Sequence, residues 1–93
     1  MKFPLSKFTV FGDSMLPELK PGQLVITFNW FKKLEVGDVV VVNIGSRDII
    51  KRLKGIKAKS VFVIGDNEVY STDSRTLGWI DKEKVIGKVA TTI

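Results

Sequence analysis

Short apolar runs rich in β-branched residues recur along this chain at residues 8–11, 24–28, 39–42, 49–53, 61–64 and 85–89. Between them stand "KPGQ", "EVGD", "NIGSRD" and "GDNE", whose Gly, Pro, Asn and Asp residues suit chain reversal. Runs of this length are strand-sized and too short for a stable helix. The pattern predicts an all-β fold, either a small partly closed barrel or two packed antiparallel sheets. One short helical turn is expected around Asp81 to Lys84. No repeat, low-complexity segment or linker interrupts the pattern, so residues 1–93 read as a single domain.

Composition then narrows the chemistry. The chain has no Cys and no His, which excludes disulfides, thiol catalysis, a Ser-His-Asp triad and a zinc site built on either residue. No metal or other cofactor is expected, and any general base must be Lys, Asp, Glu or Tyr. The formal net charge of +5 suits an anionic partner, although lysine-rich surfaces also serve solubility. The longest aliphatic run, Val39 to Val42, falls far short of the roughly 20 residues that cross a bilayer, so no spanning helix or signal peptide is expected.

Alternation in "RDIIKRLKG" sets Ile49, Lys51 and Leu53 on one face of a strand and Asp48, Arg52 and Lys54 on the other, with Ile50 as the exception. Lys51 is thus the charge on an apolar face, where desolvation lowers the pKa of an amine and makes it able to take a proton. A lysine at a strand edge ordinarily snorkels to water instead. Ser14 stands in "VFGDSMLPELKPG", in a Gly-Asp-Ser turn of the kind that ordinarily caps or fills a loop. Here Gly12 permits close backbone approach, Met15 can pack the turn down and Pro17 stiffens its exit. A hydroxyl so held, beside a neutral amine, meets the requirement for a nucleophile with an adjacent base. A third constellation, "GDNEVYSTDSRTLGW", follows the apolar run "VFVI". Ser71 or Thr72 could reach the lysine from it, and Asp73 could pair with Arg75 or Arg52.

Taken in order, "GDSMLP", "LKPGQLVI", "VGDVVVV", "IIKR", "GDN", "STDSR" and "GW" resemble the bacterial type I signal peptidase family of Ser-Lys proteases. The Ser-Met-x-Pro element is also similar to that of the self-cleaving repressor peptidases, and "STDSR" resembles the compact nickel-type superoxide dismutase maturation proteases. The resemblance implies Ser14 as nucleophile, Lys51 as general base and Ser71 as the hydroxyl that orients the amine. Asp73, Arg75 and Arg52 would be the ionic support of the site. The oxyanion hole would come from Gly12 and the Ser14 backbone N–H; many members carry a serine where this chain has Gly12. An extended peptide would lie between the strand before the nucleophile and the strand before the lysine, against Thr9, Val10, Phe11 and Asp13 on one side and Asp48, Ile49 and Ile50 on the other. The implied reaction is removal of a leader or pro-segment from a protein substrate, after small residues.

Members of that family usually carry a membrane-spanning segment before the serine block, whereas thirteen residues precede Ser14 here. The expectation is a catalytic portion or a compact member. "FNWFKK", residues 28–33, bears on membrane contact: aromatic rings beside lysines suit a bilayer interface with anionic lipid, while a hairpin with Phe28 and Trp30 turned inward is the plainer expectation. Two further readings are a self-cleaving repressor-type peptidase, for which no helical DNA-binding segment or cleavage linker is evident, and a nonenzymatic basic module stacking single-stranded nucleic acid on Trp30 and Phe31. The latter leaves Ser14, Lys51 and Ser71 unexplained, so no nucleic acid partner is expected.

Overall fold

The computed structural model describes residues 4–30, 33–67 and 73–93. Its strands are β1 (Leu5–Thr9), β2 (Leu24–Phe28), β3 (Val39–Ile44), β4 (Arg47–Ile56), β5 (Ser60–Ile64), β6 (Ile80–Asp81) and β7 (Val85–Thr92). One short helix, α1 (Ser74–Leu77), precedes β6, and a 3-10 turn at Lys82–Lys84 precedes β7. All seven strands form one sheet in the order β1-β2-β7-β3-β4-β5-β6, and every neighbouring pair is antiparallel. The all-β expectation holds, as a single sheet and not as two packed ones.

Local sequence explains the elements. The β3–β4 hairpin closes through Gly45 and Ser46 between the paired residues Ile44 and Arg47, and Gly45 has φ +62°, a conformation that side chains with a Cβ resist. Val39 to Val42 form a nearly unbroken buried run because β3 is central, with β7 on one side and β4 on the other. In β1, by contrast, exposure alternates residue by residue. That strand begins at Leu5, earlier than the apolar run from Phe8 suggests, because an edge strand needs only one buried face.

The sheet curls. Four strand spacings of about 4.8 Å would hold β1 and β4 some 19 Å apart in a flat sheet, yet Phe8 of β1 and Ile50 of β4 pack on the same buried cluster of Val10, Met15, Leu19 and Val25. A second cluster gathers Val40, Val42, Leu53, Val61, Val63, Ile80 and Val85, with Ile49 packed against it. This architecture matches the partly closed barrel.

Two differences from the sequence expectations are instructive. The helical turn expected at Asp81 to Lys84 is a 3-10 turn over Lys82–Lys84, and α1 lies unannounced within the polar segment. The Asp73 side chain caps α1 by accepting from the Arg75 backbone N–H. Trp79 then closes the segment onto the sheet, 5.3 Å from Phe62 between ring centroids and over Gly55, with the Lys57 amine 4.2 Å from its ring. The second difference concerns Phe28 and Trp30, which are 41% and 56% exposed and so do not turn inward. Asn29 occupies the inward position instead, accepting from Thr27 Oγ1 at 2.7 Å and donating to Ser6 Oγ at 2.6 Å.

That polar knot fills the space beside Gly87. A Cβ on Gly87 would collide with Asn29 Oδ1 and would lie 2.9 Å from Thr27 Cβ and Oγ1. Gly87→Ala is therefore expected to destabilise the fold by about 1–3 kcal/mol, read as a lower urea midpoint at unchanged m-value. An unchanged midpoint would show that Asn29 moves aside freely.

Candidate active site

Residues 10–23, which join β1 to β2, place Ser14. Val10 donates to Gln23 O and accepts from Gly22 N, both at 2.8 Å, which pinches the base of the loop. Met15 and Leu19 are buried beneath it at 1% and 5% exposure, and Leu19 N bonds Met15 O at 2.8 Å. Gly12 has φ +72° with open space around its missing Cβ, so backbone conformation and not crowding favours glycine there. Ser14 itself is half-buried, and its carbonyl accepts from Asn67 N at 2.7 Å, tying the serine turn to the loop after β5. Among the described residues, the Ser14 backbone N–H donates to no protein carbonyl.

Lys51 comes from the middle of β4, paired with Val40 of β3. It is 4% exposed, and burial lowers its pKa from the ordinary 10.5. Asp73 opposes that shift through its negative charge, while Arg47 and Arg75 add to it. No carboxylate among the described residues lies within ion-pair distance of the amine.

A cleft of about 700 Å³ joins the two groups. It is lined along one side by Lys7, Phe8, Thr9, Val10, Phe11, Gly12, Asp13, Ser14 and Met15, and along the other by Arg47, Asp48, Ile49, Ile50 and Lys51. One wall is the edge of β1 continued by the loop after Thr9, and the other is the edge of β4. β1 ends the sheet, and β4 pairs with β5 only from Arg52 onward, so among the described residues Arg47 to Lys51 have a strand partner on the β3 side alone. Phe11 is 84% exposed on the cleft wall, and Asp48 is held by Asn43 Nδ2 at 2.8 Å.

The charged residues separate into two tethers. Asp73, fully buried, accepts from Gly65 N at 2.9 Å and from Arg75 Nε and an Arg75 terminal nitrogen at 3.0 Å each. Of the two partners open to Asp73 in the sequence, Arg75 takes it. Arg52 instead grips both oxygens of Asp66, at 3.0 and 2.7 Å, and donates to Gly37 O at 2.8 Å. Sequence reasoning did not assign Asp66, Asn67 or Ser74; the last accepts the Val63 N–H through its buried hydroxyl at 2.9 Å. The "GDN" block was the available signal for the first two. Ser71, Thr72 and Phe31 lie outside the described residues, and among the described residues no group of acidic side chains is arranged to hold a metal ion.

Residues 5–90 match the family model described as Peptidase S24-like. The chain belongs to that family. No curated protein matches it. Membership supports a Ser-Lys peptidase-like domain on an all-β scaffold, and it does not single out the signal peptidases that the sequence motifs resemble.

Burying Lys51 has a stability consequence whose sign is fixed by linkage. A lowered folded pKa means that the unfolded chain binds the proton more tightly, so stability rises with pH between the lowered value and 10.5. Lys51→Met removes the buried charge at similar length. It should raise the urea midpoint at neutral pH, with the gain shrinking as the pH approaches 10.5. A gain independent of pH would mean that the amine carries no burial cost.

Proposed function

We propose that this protein is a serine endopeptidase of the signal peptidase type, which cuts a leader or pro-segment from a protein substrate bound as an extended strand. The observation that carries the reading is that Ser14 and the buried, pKa-lowered Lys51 line one cleft. A peptide entering between Thr9 to Asp13 and Asp48 to Ile50 can pair its main chain with either edge. That fixes the scissile carbonyl before any side chain is read.

Neutral Lys51 takes the Ser14 proton as Oγ attacks the carbonyl carbon, and the resulting oxyanion is held by the Ser14 N–H with help from Gly12. Lysinium then returns the proton to the leaving amine as the C–N bond breaks. Water, deprotonated by the same lysine, attacks the acyl-serine ester and restores the hydroxyl. Ser71 orients the amine. Asp73 with Arg75, and Arg52 with Asp66, hold the segments that carry these groups in place. Burial keeps the lysine available as a base, and the cations Arg47 and Arg75 act in the same direction.

The Peptidase S24-like match is equally consistent with a second reading, in which the same dyad cuts its own polypeptide. The two differ in molecularity. Self-cleavage within one chain has a rate independent of protein concentration, whereas leader removal depends on added substrate.

Incubation with a complex peptide library, followed by mass spectrometry of new termini, should reveal cuts after small residues. Ser14→Ala should lose about a million-fold in turnover with its circular dichroism unchanged. Lys51→Arg should be inactive because a guanidinium stays protonated, whereas Ser71→Ala should be milder. The wild-type rate should rise with pH through the lowered pKa of Lys51. An active Lys51→Arg protein would remove the proposed base.

A further inference from the structure

Besides Lys51, two cations line the cleft that holds Ser14: Lys7 of β1 and Arg47 of β4. Arg47 opens β4 directly after the Gly45–Ser46 turn. A period of two sets it on the same strand face as Ile49 and Lys51. At ~3.3 Å per residue, the path along β4 from Arg47 to Lys51 spans about 13 Å. The Arg47 charge reaches the amine across that distance, since it helps to lower the Lys51 pKa.

Neither cation is answered by the protein. Arg47 and Lys7 are both exposed, and among the described residues neither makes an ion pair. Arg47 accepts from Asn43 Nδ2 at 3.5 Å through its backbone carbonyl, which leaves the guanidinium donors unused. Two carboxylates share the lining. Asp48 lies on the alternate face of β4 and is held by Asn43 Nδ2 at 2.8 Å, while Asp13 adjoins Ser14. A guanidinium on an open sheet surface would simply be solvated, but this one stands in the cleft on the face of the buried amine.

We propose that Arg47, supported by Lys7, is a specificity-determining subsite for a carboxylate side chain, so that the preferred substrate is a peptide with Asp or Glu set back from the bond that is cut. The subsite rests on the reading of Ser14 and Lys51 as the reacting pair. An extended peptide advances at the same rise as β4, so the carboxylate that meets Arg47 lies about four residues from the scissile bond. The planar fork of Arg47 matches a carboxylate through two parallel hydrogen bonds. Lys7 adds charge of the same sign without demanding a geometry. A Lys or Arg at that peptide position meets like charge, so the subsite excludes as well as selects. Because these contacts form when the peptide binds and do not change as the bond breaks, the preference belongs in KM.

A charge scan tests it. Short Ala/Ser peptides carry a single Asp moved position by position on both sides of the cut, with Asn and Lys counterparts at each position. At low ionic strength the wild-type protein should cut the Asp peptide about tenfold more efficiently than the Asn peptide at the matching position, the size expected of two partly solvated charge pairs. Salt should erode that preference. Arg47→Glu with Lys7→Glu should invert it in favour of the Lys peptide, with circular dichroism checking the fold. The preference is read as a ratio between peptides within each protein, so any effect of Arg47 on Lys51 cancels. A flat scan by a wild-type protein that still cuts would overturn the subsite and leave the peptidase reading standing, as would an Asp preference that survives in the folded double variant. If wild type cuts none of the peptides, the peptidase reading fails, and fluorescence anisotropy with the labelled peptides on Ser14→Ala protein decides the subsite separately. Tighter binding of the Asp peptide, reversed by the two Glu substitutions, would support it; equal binding of Asp and Asn peptides would overturn it.

Discussion

The curl of the sheet, sealed by packing between β1, β4 and the loop that carries Ser14, is the constraint on which the site depends. Val10, Met15, Leu19 and Val25 are all nearly inaccessible to water, and Phe8 and Ile50 reach them from strands that lie four places apart in the sheet. Burial of this kind contributes about 25 cal/mol for each Å² of apolar surface removed from water, and here it acts on both walls of the cleft together. The same contacts that stabilise the fold therefore set the width of the groove. Among the described residues, β1 and the first half of β4 keep outer edges that pair with no other strand.

Electrostatics near Lys51 is shaped by what surrounds it at longer range. A lysine in direct contact with a carboxylate would stay charged; this one lies amid apolar strand residues, with Asp73 engaged by Arg75 and by the Gly65 N–H. Asp73 moderates the lowered pKa without ion-pairing the amine, and Arg75 offsets part of that influence. Arg52 contributes differently, as a bidentate clamp from β4 to Asp66 that also reaches Gly37. Since Asn67, next to Asp66, donates to the Ser14 carbonyl, the clamp links the lysine strand to the serine turn through two short steps.

Much of the architecture was legible along the chain. Strand positions follow from β-branched runs broken by Gly, Asp and Pro, and the face shared by Ile49, Lys51 and Leu53 follows from a period of two. α1 was not legible, since four residues give no helical period and its formation rests on the Asp73 cap and on Trp79 folding back over Gly55. The inward expectation for Phe28 and Trp30 failed because hydrophobicity alone does not say which of two alternating sets faces the core. Asn29 took the inner position through hydrogen bonds to Thr27 and Ser6, and a polar residue with satisfied partners can occupy a buried site.

The sequence by itself determined the chemical inventory: an absence of Cys and His, a serine in a stiffened turn, a lysine on an apolar strand face, and the ordered motifs that point to a Ser-Lys peptidase. Those follow from residue identity and from short-range periodicity, which need no partner strand. Only the tertiary structure decided that Ser14 and Lys51 open into one cleft, that Lys7 and Arg47 line it with them, and that Asp73 goes to Arg75 and Arg52 to Asp66. Each of these joins segments far apart in the chain. Their pairing depends on strand order and on the curl of the sheet, which arise from the packing of the whole core and are not encoded in any one stretch of it.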